Sequence, residues 1–279
     1  MNLSITTLSE NTAGTPNMLA EWGLSILVET DEVNVLLDTG QSVSTSYNAS
    51  VYGVDLSKVD RIVISHGHFD HTGGLESVLR QMRKEVEVIG HPDIWAAKYA
   101  RGRGETKRYI GIPFQRQELE SLGARFNLSR EPVKITDNIM TTGEVPMVTE
   151  FEEIEENRFF VKEDSGWRPD EILDDLSLII KTEQGLVVLL GCAHHGIINT
   201  LYHAQKITGV KQIHMVVGGC HLIGASPERV MQTIAALNEL GVQRVGVSHC
   251  TGMPASSMIA QALGERFFFN NTGNRINLP

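Results

Sequence analysis

Cysteine is scarce in this 279-residue chain: Cys192, Cys220 and Cys250 are odd in number and widely spread. That excludes a disulfide framework as the organising device and suits a reducing, cytoplasmic setting. Long apolar runs are missing as well. None reaches the roughly 18–20 residues needed to cross a bilayer. The opening "MNLSITTLSENTAGTPN" has neither a basic n-region nor an apolar h-region, so neither a secretory leader nor a membrane partner is expected. A positive balance is absent: 24 Lys and Arg against 34 Asp and Glu leave a net charge of −10, which argues against a general nucleic-acid binder. No repeat with a period of about 20–50 residues and no low-complexity tract is visible. What remains is 41% hydrophobic and 21% charged residues, an ordinary balance for a chain that buries a sizeable core.

Strand-like alternation dominates the first part. "LSITTLSE", "GLSILVET" and "VNVLLDTG" carry β-branched and apolar residues at period two, and the polar "TDEVN" joins the last two as a hairpin. A buried strand over Arg61–Ser65 leads into "HGHFDH". A helix then starts near Gly73, and "KEVEVIGHPD" reads as the next strand. From about 91 to 175 the pattern loses regularity, apart from a helix in "QRQELESLGA", and reads as an insertion or lid on a single domain spanning 1–279. Order returns with the hairpin "LSLIIKTEQGLVVLLGC", followed by helix, strand, helix and strand. In the second of these helices Ser226 serves as N-cap, Pro227 takes the first helical position and Gly241 stops the run. Two β-sheets with helices outside, an αββα sandwich of the α/β class, is the natural architecture.

Against this background one stretch stands out. His66-Gly67-His68-Phe69-Asp70-His71 packs three histidines and an aspartate into a loop after a strand. A neutral imidazole offers one nitrogen lone pair and a carboxylate adds a charged oxygen, a donor set suited to zinc, iron or manganese. Gly67 and the following "TGG" let the backbone bend enough for the side chains to converge. The motif therefore predicts one or two divalent transition metal ions, with zinc preferred. Further donors stand at three later strand ends: "GCAHHG" (Cys192, His194, His195), "GGCHL" (Cys220, His221) and "SHCTG" (His249, Cys250). The cysteines read equally well as small buried hydrophobes.

The H-x-H-x-D-H motif, with "LLDTG" ending in Asp38-Thr39-Gly40 upstream, resembles the metallo-β-lactamase superfamily over essentially the whole chain. The resemblance implies the same αββα sandwich. It implies that His66 and His68 hold a first metal, Asp70 and His71 a second, and that Asp38 orients a ligand from behind. It assigns His249 to the second metal, while His194, with His195 as fallback, completes the first. His221 is implied as a ligand or as a proton donor beside the leaving group. The superfamily's bridging aspartate follows a "G-D" strand end, but the matching place reads Gly191-Cys192, so a thiolate replaces the bridge or the bridge is absent. A lysine shortly after "GGC", expected of true β-lactamases, is missing.

Longer phrases, among them "YNASVYGVDLSKVDRIVISHGHFDHTGGL" and "DDLSLIIKTEQGLVVLLGCAHHGIINT", are similar to the subfamily named after 7,8-dihydropterin-6-methyl-4-(β-D-ribofuranosyl)aminobenzene-5′-phosphate synthase. The resemblance implies a metal-dependent hydrolase of phosphoesterase type, or a dihydropterin-type transferase, acting on a small phosphorylated and pterin-like or nucleotide-like substrate. Asp70, Asp38 and His221 would be the catalytic residues, with metal-activated water as the nucleophile for hydrolysis. Its alternatives are a di-metal redox protein or a ligand sensor on the same fold; Pro279 ends the sequence with no flavin domain after it, which lowers the redox reading. The expected partner is a small anion rather than a long nucleic acid. Lys98, Arg101, Arg103, Lys107 and Arg108 form a basic patch in the insertion, able to clamp phosphate or simply to balance the acidic run 150–156. Trp95 and Tyr109 are placed to stack on an aromatic ring or to anchor loops. Asp174 and Asp175 read as solvated charges flanking a strand.

Overall fold

Near-continuous aliphatic runs such as "LVVLL" produce strands that are buried on both faces, and the chain is built around them. Its first half runs through β1 (Leu3–Ser9), β2 (Ser25–Thr30), β3 (Asn34–Leu37), α1 (Ser44–Tyr52), β4 (Arg61–Val63), α2 (Phe69–Thr72), α3 (Leu75–Met82) and β5 (Val86–Gly90). Next come β6 (Lys98–Arg101), β7 (Lys107–Tyr109), α4 (Arg116–Ser121), β8 (Ala124–Leu128), β9 (Ile139–Thr141), β10 (Phe159–Glu163) and β11 (Gly166–Pro169). The last part holds β12 (Ser177–Thr182), β13 (Gly185–Leu190), α5 (Ile197–Thr208), β14 (Ile213–Gly219), α6 (Pro227–Glu239), β15 (Arg244–Ser248), α7 (Met253–Leu263), β16 (Phe267–Phe269) and β17 (Arg275–Leu278). The computed structural model describes every residue except Met1, Glu105 and Glu156, so the end of the acidic run 150–156 lies outside the described residues. No helix among the described residues is long and apolar enough to cross a membrane.

Two large sheets form, in the orders β17-β1-β2-β3-β4-β5-β8 and β16-β15-β14-β13-β12-β9. Each is mixed. In the first, β1, β2 and β3 pair antiparallel, then β3, β4, β5 and β8 run parallel. In the second, β9, β12 and β13 are antiparallel, and β13 through β16 parallel. Their inner faces meet in one core, where Ile26, Val28 and Leu37 pack with Leu178, Val187 and Val217. Outer faces are covered by helices: Leu75, Val78 and Met82 of α3 on the first sheet, Ile198, Leu201 and Val230 of α5 and α6 on the second. In β13 the alternation is literal. Val187 and Leu189 enter the inter-sheet core, whereas Leu186, Val188 and Leu190 meet the helices. This is the αββα sandwich.

The interval 91–175 divides between core and accessory structure. β8 extends the first large sheet and β9 the second, while β11-β10-β6-β7 form a separate four-stranded sheet. Its irregular sequence reflects short strands contributed to three different sheets. The helix expected within "QRQELESLGA" is α4, and the α6 cap is as read: Ser226 Oγ accepts from the Arg229 amide at 3.2 Å. Helix α1 was not legible because its buried face is polar, Ser44, Thr45 and Asn48 with Ala49. Asn48 makes the contacts an apolar face would otherwise make, its Nδ2 donating to the carbonyls of Leu8 and Leu19.

Parallel strands deliver their C-terminal ends to the same side of a sheet, where ligand sites collect. The ends of β3 and β4, and those of β13, β14 and β15, carry the polar motifs. Between β4 and α3 the chain turns at Gly73 and Gly74, where an added Cβ would lie 1.9 Å from the Gln41 and Thr39 carbonyl oxygens. Gly74→Ala should therefore destabilise the fold by about 1–3 kcal/mol through overpacking. Urea unfolding measures it, and an unchanged midpoint would show that this junction has room to spare.

Candidate metal centre

Gly67 sets the local geometry of the histidine loop: a Cβ there would fall 2.3 Å from the Ile94 carbonyl oxygen, so only glycine lets the loop lie flat on that backbone. His68 is extended and opens the single turn of α2, which presents Asp70 and His71 in succession. The opposite wall comes from the ends of β13, β14 and β15. Non-glycine residues with positive φ mark these junctions: Asp38 at 58°, Ala193 at 50°, His221 at 46° and His249 at 51°. Such conformations cost roughly 1–3 kcal/mol each and persist where surrounding contacts over-determine them.

Two donor groups result. His66 Nε2 faces His194 Nε2 at 3.3 Å, and the His68 ring packs edge-on to both, with centroids 4.5 and 5.0 Å away. In the second group His71 Nε2 lies 3.1 Å from Cys192 Sγ. His249 Nε2 lies 3.3 Å from Asp70 Oδ2, outside hydrogen-bond geometry. Behind them the Nδ1 nitrogens of His66, His71 and His249 are tied off. Asp38 Oδ2 takes His71 Nδ1 at 2.6 Å, and Ser65 Oγ lies 2.9 Å from His66 Nδ1 while donating to Asp38 at 2.7 Å. Asn11 Oδ1 holds His249 Nδ1 at 3.0 Å, and the Trp22 indole donates to Asp70 Oδ2 at 3.0 Å.

Electrostatics favour neutral imidazoles at His66, His68 and His194 but not at His71. Burial, reinforced by the neighbouring histidines, pushes His66 and His194 well below the ordinary histidine value. Burial and then the Lys98 charge push His68 down to about 3. Burial would lower His71 too, but the Asp38 carboxylate outweighs it and holds the ring up at about 9. Burial would raise Asp70, yet the rings of His249, His71 and His68 hold it below the usual carboxylate range.

The residues fit a cation. His68 Nε2, His249 Nε2 and both His221 nitrogens have no hydrogen-bond partner among the described residues. Orphaned buried nitrogens are costly unless something else binds them. The donor sets His66, Cys192, His194 and His71, Cys192, His249 each converge within 4.8 Å. Nitrogen with sulfur and one carboxylate suits a divalent transition ion.

Several sequence expectations change here. Of the two adjacent histidines only His194 faces the cleft, since both His195 nitrogens are taken by the carbonyls of Val145 and Glu171 at 2.6 and 2.9 Å. Asp174 and Asp175 are buried rather than solvated. Asp174 accepts from the Gly67 amide at 2.7 Å and pairs with Lys98 Nζ at 2.8 Å; Asp175 accepts from the His195 amide at 2.9 Å. Lys98 is accordingly no part of a surface patch. It is 1% exposed and bridges Asp174 and Asp170. Cys220 packs among the apolar side chains between the second sheet and its helices.

A cavity of about 490 Å³ opens over the cluster. Its walls include His68, Asp70, Cys192, His194, His221 and His249, together with Arg101, Arg108 and Arg158. Arg103 and Lys107 do not line it; Lys107 Nζ sits 4.8 Å above the rings of both Phe160 and Trp167. Trp95 packs on Phe126, and the Tyr109 hydroxyl donates to Ile112, so neither stacks in the cleft. Sequence reasoning missed Trp22, Arg158 and Phe159, which carry no local motif and are brought in only by tertiary packing.

The model described as the metallo-beta-lactamase superfamily matches residues 23–203, and the chain belongs to that superfamily. The chain is 32% identical over 274 residues to the 7,8-dihydropterin-6-methyl-4-(beta-D-ribofuranosyl)-aminobenzene-5'-phosphate synthase of Methanocaldococcus jannaschii, covering 95% of this chain and 93% of that one. It is also 32% identical over 272 residues to an uncharacterized protein of the same organism, covering 97% and 98%. Among solved structures, a metal-dependent hydrolase of the beta-lactamase superfamily superposes with a TM-score of 0.84 at 29% identity, covering 99% of each chain. Membership of this superfamily implies divalent metal binding and supports an enzyme.

The Lys98 ion pairs join the accessory sheet to the histidine loop, and burial makes them demanding. Burial would raise Asp174, but Lys98 and the Gly67 amide hold it below the ordinary aspartate value. Asp174→Asn should cost about 1.5–3 kcal/mol, because Lys98 keeps Asp170 but loses one of its two charged partners. Its stabilising contribution is present above the unfolded aspartate value and is lost as pH falls through the depressed folded one, so wild type and variant should converge in strong acid. Chemical unfolding across a pH series checks both, and a gap that widens on acidification would refute the sign.

Proposed function

We propose that the chain is a metal-dependent hydrolase or transferase acting on a small phosphorylated substrate. The observation that carries this reading is the placement of Arg101, Arg108 and Arg158 on the wall of the cavity that holds the histidine cluster. Guanidinium groups match phosphate oxygens in a fork geometry that lysine cannot offer. Two of them are braced on aromatic faces, Arg108 at 5.6 Å over Phe69 and Arg158 at 5.3 Å over Phe159. A cavity of this size takes a metabolite rather than a polymer, in keeping with the net charge of −10. Support for a phosphorylated ligand also comes from the M. jannaschii relative, whose name specifies a 5'-phosphate.

In this reading His66, His68 and His194 hold one ion, and Asp70, His71 and His249 a second, zinc before iron or manganese. When bound, such metals polarise phosphoryl oxygens and lower the pKa of water toward about 7. The chain's own residues do the rest. Asp38 and Ser65 keep the Nε2 lone pairs of His71 and His66 turned into the cleft. The Trp22 indole fixes one Asp70 oxygen, and Phe159, beside His68 and His194, keeps water off the inner wall. His221 stands with its ring 4.1 Å from that of His194 and neither nitrogen hydrogen-bonded among the described residues, ready to hold or pass a proton at a leaving-group oxygen. Three buried thiols suit a cytoplasmic enzyme.

Metal-loaded and metal-stripped protein should be compared on a panel of phosphomonoesters, phosphodiesters and diphosphates. Activity is expected only in the loaded form and should vanish in His66→Ala/His68→Ala together with bound metal. Arg101→Ala/Arg108→Ala should raise KM, or the Kd for inorganic pyrophosphate, about tenfold or more with metal content unchanged. Loaded protein that neither binds pyrophosphate nor turns over any phosphorylated compound would defeat the proposal.

A further inference from the structure

Cys192 is the point at which three donor groups meet. It shares one with His66 and His194, a second with His71 and His249, and a third with His221 and Cys250, the donor atoms of each lying within 4.8 Å of one another. The backbone holds it there. Gly191 before it passes so close to Ser65 that a Cβ would lie 2.1 Å from Oγ. Ala193 after it adopts φ of 50°, so that Cys192 and His194 both reach the cavity wall. The other two thiols are placed differently. Cys220 packs among apolar side chains on the helix side of the second sheet, and Cys250 belongs to one donor group where Cys192 belongs to all three.

On either side of this sulfur stand buried nitrogens with nothing to bind. His68 and His249 are each 5% exposed, and their Nε2 atoms have no hydrogen-bond partner among the described residues. A carboxylate at the shared position would suit hard and borderline ions alike. A thiolate is a soft donor that favours zinc, cobalt or cadmium over magnesium and manganese. Deprotonation is no obstacle, because a coordinating thiol gives up its proton to the cation's field.

We propose that Cys192 is the shared ligand of this centre, a thiolate between the two histidine groups that restricts it to thiophilic ions. The inference rests on the metal-dependent reading above and deepens it. Cobalt(II) substitution tests it without relying on turnover, since thiolate ligation produces sulfur-to-cobalt charge-transfer absorption in the near ultraviolet. Wild type should show that band on titration, Cys250→Ser should keep it, and Cys192→Ser should lose it. Cys192→Asp keeps a donor at the same place; it should take up cobalt without the band and lose the discrimination against manganese that wild type should show in competition. That variant separates loss of sulfur from loss of fold. Cobalt uptake with no charge-transfer band in wild type, or a band that survives in Cys192→Ser or disappears only in Cys250→Ser, would overturn the assignment. No uptake of cobalt or zinc by wild type would instead overturn the metal-dependent reading beneath it, so the two failures are distinguishable.

Discussion

The Asp38 carboxylate is the contact on which the centre depends. It is fully buried and accepts three hydrogen bonds, from the Ser65 amide, the Ser65 hydroxyl and His71 Nδ1, all between 2.6 and 2.7 Å. An unpaired carboxylate at that depth would cost several kcal/mol, so the three partners and the acid are mutually required. The same contacts join the end of β3 to the end of β4 and to α2. They also select which nitrogen of His71 and, through Ser65, of His66 is turned toward the cleft. One acid side chain in a left-handed turn thus governs an imidazole in each donor group.

Asp38 is the first of a series. Three of the loops that carry donors are pinned by a buried acid accepting from their main chain: Asp174 from Gly67, Asp175 from His195, and Glu10 from His249 at 2.6 Å. Glu152 does the same for the start of α5, accepting from Ile198 and Asn199. Burial raises Glu10, Glu152 and Asp175 above their ordinary values, opposed chiefly by main-chain amide contacts and, at Glu152, also by the Thr149 hydroxyl. Such a frame is stiff, because displacing any loop strands an acid. It also explains how strand ends with positive φ remain in place: the strain is held by contacts made behind the cleft, leaving the donor atoms unsatisfied in front.

Net charge describes the surface as a whole and misses the cavity. An excess of acidic residues coexists with three arginines on one wall because several acids are spent internally, in amide contacts or, as with Asp170 and Asp174, against Lys98. The basic run in the sequence is split by its β-hairpin. Lys98 turns inward and Lys107 toward aromatic rings of the accessory sheet, whereas Arg101 and Arg108 reach the cleft and are joined there by Arg158 from β10's approach.

Much of this molecule is local in origin. The αββα layering follows from strands with apolar residues on both faces, and the α6 boundaries follow from Ser226 and Pro227. The metal motif follows from four donor side chains within six residues, since the glycine between the first two and the helical turn after them make convergence a short-range matter. Asp38 was legible through its motif, and His249 through its place at a strand end. Other features depended on contacts between residues far apart in the chain. An aspartate beside a strand is solvated or buried according to whether a cation is brought to it, and Lys98 lies 76 residues before Asp174. His194 and His195 are chemically identical until the Val145 and Glu171 carbonyls occupy one of them. Trp22 and Arg158 belong to no motif, and Cys192 is an ordinary buried thiol until strands from both sheets place histidines around it. The sequence by itself determined the layers and the principal donors, because periodicity and short spacing are enforced by local geometry; which of those donors face one another, and what stands over them, was decided by tertiary packing, because burial and pairing depend on residues that only the fold brings together.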